Sequence, residues 1–425
     1  MGDDAATVRE VPGFRSYWSA ATVSSFGTAV SAVAVPVLVV TVLQASPLEV
    51  GLVNAAQFLP YALFGLLIGA YVDRVPRKPL LVWASIGRAV SLGTIPVLWS
   101  VGLLNLWVTA AALFVFGTLS VVGFAATQSL LPRIVPRHLL LPANARVDQS
   151  DAAAQTVGPA LGGVLVGFVT APVAIVVDAV SYLVEAALVA RVRIVERTAP
   201  RRTGSRLLGD VVDGLRWTYR HETLAPLAIS TQVWFLANAA ALTVFAIVAL
   251  RTLALPAVVY GAIIAVSGVA MLLGATAAPR LGTRFGAGRT IIATRIAYPV
   301  AWAAIAIAVV GASGARAAAI AVLFTAFTVH GAAAGCENAN EMSLRQSLTP
   351  DALLGRTNAT MRSAYRTLAA IGAVGGGALA TAAGGGVALF AVAAVFGGAA
   401  VIALRSSLRV DTGRDARSDQ IGAEQ

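Results

Sequence analysis

Three titratable side chains, His330, Glu337 and Glu341, fall inside one long apolar run and could bind and release protons. Their spacing of i, i+7 and i+11 puts all three on one helix face. An imidazole titrates near neutrality, and a carboxyl kept from water is pushed toward the same range. A charge inside a bilayer core is costly, so such a stripe is a functional candidate. Two other readings compete with proton loading. One is a static clamp pairing Glu341 with Arg345, or with Arg362 and Arg366 on the next span; the other is plain buried hydrogen bonding. Arg88 and Glu185 fall at similar depth in two other runs and could neutralise each other, while Arg295 and Asp178 are further intramembrane charges. Gln232, Trp234 and Asn238 could offer amides and a ring to a bulky, partly apolar molecule, although Trp234 also suits a membrane interface. Cys336 is the only cysteine, which excludes an intramolecular disulfide and any multi-cysteine metal site. Nucleotide-binding signatures are missing, so no ATP-driven cycle and no cofactor is expected.

The elements that carry these residues are apolar runs long enough to cross a bilayer. Hydrophobic residues make up 58% of the chain and charged ones 12%, with a mean hydropathy of +0.80. Twelve runs are expected, at roughly 14–42, 49–71, 79–101, 106–128, 148–170, 173–192, 223–249, 257–279, 290–311, 316–340, 361–383 and 386–404. The fold class is therefore an all-α membrane protein. The net charge of +11 would suggest nucleic acid in a soluble chain, but its placement does not. Basic residues crowd the even-numbered connections, from Arg74, Arg77 and Lys78 in the second to Arg405 and Arg409 at the C-terminal end. The odd-numbered connections hold only Arg251 and Arg316. That alternation is the positive-inside pattern and predicts both termini in the cytoplasm. Met1–Pro12 is acidic, so no signal peptide is expected, and Ala6 stands where myristoylation needs Ser or Thr. Arginine is used almost to the exclusion of lysine, Lys78 being the only one, which suggests a GC-rich bacterial source. The expected location is the bacterial plasma membrane. The expected partners are the lipid bilayer and a small molecule, with the monomer as the working unit.

The chain repeats itself. Pro136–Asn144 aligns with Pro350–Asn358, and the same interval pairs Gly158, Gly162 and Gly163 with Gly372, Gly376 and Gly377. Arg77 and Arg88 share their spacing with Arg284 and Arg295. Two parallel six-helix repeats rocking around a central site are a transporter architecture. The expected domains are a bundle over 1–193, a cytoplasmic linker over 194–222, a bundle over 223–405 and a disordered tail over 406–425. Leu208, Val211, Val212, Leu215 and Tyr219 recur at helical spacing in the linker and predict an amphipathic helix on the inner membrane face.

Gly69 followed by Asp73-Arg74-x-x-Arg77-Lys78 resembles the signature between helices two and three of the major facilitator superfamily. The resemblance implies a cytoplasmic latch, with Asp148 and Asp151 at the start of span five as candidate partners for its bases. The second-half copy, Leu281–Gly286, keeps Arg284 but has no aspartate. Gly158-Pro159-Ala160-Leu161-Gly162-Gly163 resembles the antiporter signature of exporters, and Asp178–Leu183 resembles the family's helix-six pattern, for which a structural role is expected. Within the superfamily, Val50–Pro60, Leu131–Ala145 and Asp213–Trp217 are similar to the third drug–proton antiporter branch, which includes macrolide-efflux and enterobactin-exporter proteins. The resemblance implies a cavity lined by helices one, four, seven and ten. It also implies a proton-coupled exporter of amphipathic small molecules, energised by the proton gradient. One departure is that span four lacks the arginine that other drug–proton antiporters use for coupling. An endogenous metabolite, a siderophore or a lysophospholipid are alternative cargoes; a non-transporting sensor or assembly partner is the alternative of another class.

Overall fold

The computed structural model describes Val8, Glu10–Val72, Val75–Ile194, Leu207–Gly311 and Arg316–Arg409. Two of the latch residues, Asp73 and Arg74, lie outside the described residues. So do residues 410–425.

The described chain is helical. The first half holds α1 (Phe14–Val37), α2 (Pro47–Val72), α3 (Arg77–Ser100), α4 (Leu106–Ile134), α5 (Leu140–Val169) and α6 (Ala171–Arg191). An amphipathic helix, α7 (Leu207–Arg220), precedes α8 (Leu224–Ile247), α9 (Ala257–Phe285), α10 (Ala287–Val310), α11 (Arg316–Leu348) and α12 (Asp351–Leu404). Gly384 breaks α12 into two limbs, so the described residues form twelve helices long enough to cross a membrane besides α7. Prolines such as Pro36, Pro96, Pro159 and Pro299 sit inside helices, which a membrane bundle tolerates because neighbours satisfy the freed backbone groups. Local capping still matters at helix starts. Ser46 and Glu49 form a capping box, with Ser46 N donating to Glu49 Oε2 at 2.7 Å, and Asn105 accepts from Val108 N at 3.0 Å.

The repeat extends to unusual backbone. One interval along the chain separates Phe14 from Leu224, Leu38 from Val248 and Gln44 from Ala254. A π-helical turn ends the first helix of each half, at Leu38–Val42 and Val248–Thr252, and each is followed by a non-glycine residue with positive φ: 51° at Gln44 and 46° at Ala254. A slightly longer interval pairs Thr170 with Gly384, the single residues joining α5 to α6 and the two limbs of α12. Thr170 has φ 107° and ψ 155°, Gly384 φ 81° and ψ 161°. The change of interval falls within α4 and α11, which have 29 and 33 residues.

By these intervals Arg295 matches Ser85, and Arg88 matches Tyr298. The two arginines are thus one helical turn apart in register, not equivalent as their spacing suggested. Arg284 likewise lies exposed in the last turn of α9, over the Phe285 ring, whereas Arg77 opens α3.

Over the described residues the chain divides into two compact units: Met1–Gly204 with Ala249–Ala265, and Ser205–Val248 with Val266–Gln425. The chain therefore passes between the units at Gly204–Ser205, again inside the π-helical turn at Val248–Ala249, and a third time inside α9 at Ala265–Val266. Within the first unit α1 packs on α5 and α6, and α3 on α4 and α6. Arg251 also belongs to this unit, and its Nη2 donates to the carbonyls of Val40 (3.1 Å) and Ala45 (2.9 Å). Within the second unit α8 packs on α12, α10 on α11 and α12, and α7 on both α8 and α12. The expected tail is ordered at its start. Ser407–Arg409 forms a 3₁₀ turn, and Leu408 is buried against a cluster containing Leu224, Ile291 and Leu344.

Candidate functional site

A buried polar cluster sits in the second unit where α8, α10 and α11 meet. Arg295 on α10 is its centre and has no exposed surface. Its Nη2 lies 2.7 Å from Glu337 Oε1 and 3.5 Å from Glu341 Oε2, both on α11. It also donates to Thr231 Oγ1 on α8 at 2.7 Å, and Thr231 donates in turn to Glu341 Oε2 at 3.0 Å. Thr294 Oγ1 is 3.3 Å from the second oxygen of Glu337. A guanidinium shared by two carboxylates and hydroxyls satisfies charges that could not otherwise stay in a membrane helix. Arg345 reaches Glu341 only at 3.9 Å, the looser of that carboxylate's two ion pairs. Arg362 is exposed and Arg366 half-buried on α12.

His330 does not join this cluster. It stands in an aromatic box of Trp234, Tyr298, Trp302, Phe327 and Phe396, with ring centroids 5.0 to 6.3 Å away. Trp302 Nε1 donates to its Nδ1 at 3.2 Å, which places the ring's proton on Nε2. Trp234 touches both groups, since its ring also lies 5.8 Å from the Arg295 guanidinium. Trp234 is therefore a box residue and not an interfacial anchor. Gln232 points elsewhere, donating to Tyr219 Oη on α7. The amide oxygen of Asn238 is buried with no partner among the described residues.

The first unit has a smaller counterpart. Arg88 Nη2 on α3 meets Glu185 Oε2 on α6 at 2.9 Å, and Ser85 Oγ bridges the two. The guanidinium stacks 4.2 Å over the Tyr182 ring. The interval that pairs Thr170 with Gly384 pairs Gly123 with Glu337. A Cβ on Gly123 would lie 3.0 Å from Arg88 Nη2, so in the first half the guanidinium packs on a bare Cα at the position where the second half has a carboxylate. Asp178 is fully buried next to Ser181 and the bare Cα of Gly27, in a helix-packing setting.

The antiporter-like glycines bring backbones together. Gly158 faces Ala29 and Gly162 faces Val30, while Gly163 faces Ala257 and Gly261. Gly376 meets Ala240 just as Gly162 meets Val30, so both halves share this contact. Of the bases expected to meet Asp148 and Asp151, Arg74 lies outside the described residues. Asp148 is exposed, Asp151 accepts from Gln155 Nε2 at 2.8 Å, and neither forms an ion pair among the described residues. Gly69 is in the last turns of α2; Arg77 is buried at the start of α3, beside Lys78.

A family model described as transmembrane secretion effector matches residues 6–424. The chain belongs to that family. Its members are transporters of the major facilitator superfamily, and the relatives agree. The MFS-type transporter YfiS of Bacillus subtilis is 26% identical over 380 residues, covering 88% of each chain. Macrolide efflux protein A of Streptococcus pyogenes is 24% identical over 219 residues, about half of each chain (52% and 51%). A bacterial homologue of the iron transporter ferroportin, solved in an inward-facing state, superposes with a TM-score of 0.71 over 92% of this chain and 98% of its own, at 17% identity. At that identity the likeness shows the fold alone.

Proposed function

We propose that this transporter is a proton-coupled exporter of amphipathic small molecules, working by alternating access in a plasma membrane with both termini inside. The observation that carries the reading is the guanidinium of Arg295 held between Glu337 and Glu341. A proton on either carboxyl removes half of that competition and lets Arg295 pair fully with the other. Such a choice between two ion pairs is a two-state element that a proton can bias. The aromatic box is joined to the cluster through Trp234, and Trp234 with His330, its half-buried members, offers rings to the apolar part of an amphipathic cargo. The glycine-rich stretch at Gly158–Gly163 and the likeness to a macrolide efflux protein favour export.

Inside-out vesicles holding a pH dye test the reading. Adding a macrolide, or another member of a broad drug and siderophore panel, should dissipate the imposed proton gradient, and Glu337→Gln should abolish the response. If no compound moves protons, or Glu337→Gln responds like the wild type, the coupling claim fails. A static clamp is the second reading, favoured by the i, i+4 pair of Glu341 and Arg345. It predicts that Glu337→Gln loses stability and keeps substrate-driven proton flux.

A further inference from the structure

The amphipathic helix α7 borders a cavity of about 490 Å³ that the transport site does not use. Arg216, Trp217, Arg220, His221 and Leu353 line it. Arg216 and Arg220 are exposed one turn apart and face no carboxylate within ion-pair distance among the described residues. Trp217 packs its ring on the Leu224 cluster, yet its Nε1–H is buried with no acceptor. His221 Nδ1 accepts from the backbone N–H of Thr223 (3.1 Å) and Leu224 (3.2 Å), which leaves Nε2 as the ring's donor. Among the described residues the cavity thus gathers donors and positive charge without a carboxylate to answer them.

We propose that this cavity binds the phosphate of an anionic ligand, and that the ligand is an anionic phospholipid of the adjoining leaflet. Two guanidinium forks suit the oxygens of a phosphodiester. The source is argued by the same helix. Val212, Leu215 and Tyr219 are exposed apolar side chains beside the arginines, so a headgroup held in the cavity would have its acyl chains against apolar surface. Basic side chains at the membrane surface attract anionic lipid by a general mechanism, and an open cavity lined by two arginines and a histidine gives one headgroup a discrete place among them. A soluble phosphate offers the same chemistry without the chains.

Native mass spectrometry of the full-length protein, titrated with phosphatidylglycerol, separates these sources. The wild type should retain one tightly held phosphatidylglycerol. Arg216→Gln with Arg220→Gln should weaken it at least about tenfold. Arg409→Gln, which removes a charge outside the cavity, should leave it unchanged. A stabilising shift from inorganic phosphate alone, lost in the double variant, would keep the site and reassign its ligand to a free anion. The proposal is overturned if the double variant, eluting as a folded monodisperse protein, holds phosphatidylglycerol with wild-type affinity and inorganic phosphate has no effect.

Discussion

Arg295 anchors three other polar side chains, so the variants around it should not be equal. Arg295→Ala leaves Glu337 and Glu341 buried together with only the distant Arg345 guanidinium to answer them. Uncompensated buried charge costs about 3–5 kcal/mol. Glu337→Gln keeps the shape, leaves Glu341 and Thr231 for Arg295, and should cost far less. Thermal unfolding in detergent should therefore rank Arg295→Ala well below Glu337→Gln, and adding Glu337→Gln to Arg295→Ala should recover part of the loss. Equal melting temperatures for the two single variants would contradict the shared-guanidinium geometry. The sequence placed His330, Glu337 and Glu341 on one face correctly as a periodicity, yet a face fixes no neighbours. Whether α10 turns Arg295 toward that face depends on helix rotation, which no local pattern records. The only available hint was that a fully intramembrane arginine must find a partner somewhere. Gln232 was misdirected for a related reason: its place on α8 is opposite the linker helix, whose docking the sequence did not give away.

At the scale of elements, the backbone at Thr170 is the clearest departure from what its side chain prefers. Its dihedrals lie in a region that glycine alone enters freely, and its repeat twin is Gly384. Strain of this kind costs about 1–3 kcal/mol. Thr170→Gly should raise the unfolding free energy by about 1 kcal/mol after the entropy cost of glycine, and Gly384→Thr should lower it, both read by thermal shift. A destabilised Thr170→Gly would mean that this turn is held by contacts of the threonine side chain. The twelve apolar runs were readable because bilayer thickness dictates their length. Their ends were not. Helix α5 starts at Leu140, well before residue 148, since a helix continues past the hydrocarbon layer into polar residues such as Asn144 and Asp148. The π-helical turns were also invisible, because Leu38–Val42 and Val248–Thr252 contain no residue type that announces them. Arg251 was noted only as an exception to the charge pattern, although it caps two carbonyls at such a turn.

For the whole molecule, the charge alternation makes a statement about sidedness that chemistry can check. Cys336 is the only cysteine and is buried, so a Cys336→Ser background gives a clean slate. In intact cells a membrane-impermeant maleimide should label Leu103→Cys, at an exposed position between α3 and α4. Arg409→Cys should be labelled only after permeabilisation. The reverse pattern would invert the proposed orientation and, with it, the direction assigned to transport.

The turns at Thr170 and Gly384 also bear on how the chain is made. Helices α5 and α6, and likewise the two limbs of α12, are separated by a single residue. During synthesis neither member of such a pair can pause in the bilayer with a soluble loop waiting behind it. Each pair must leave the insertion machinery as a closed hairpin, both strands of the fold committed in one event. A nascent chain halted between them would leave its first helix in the bilayer without the helix that follows it by one residue.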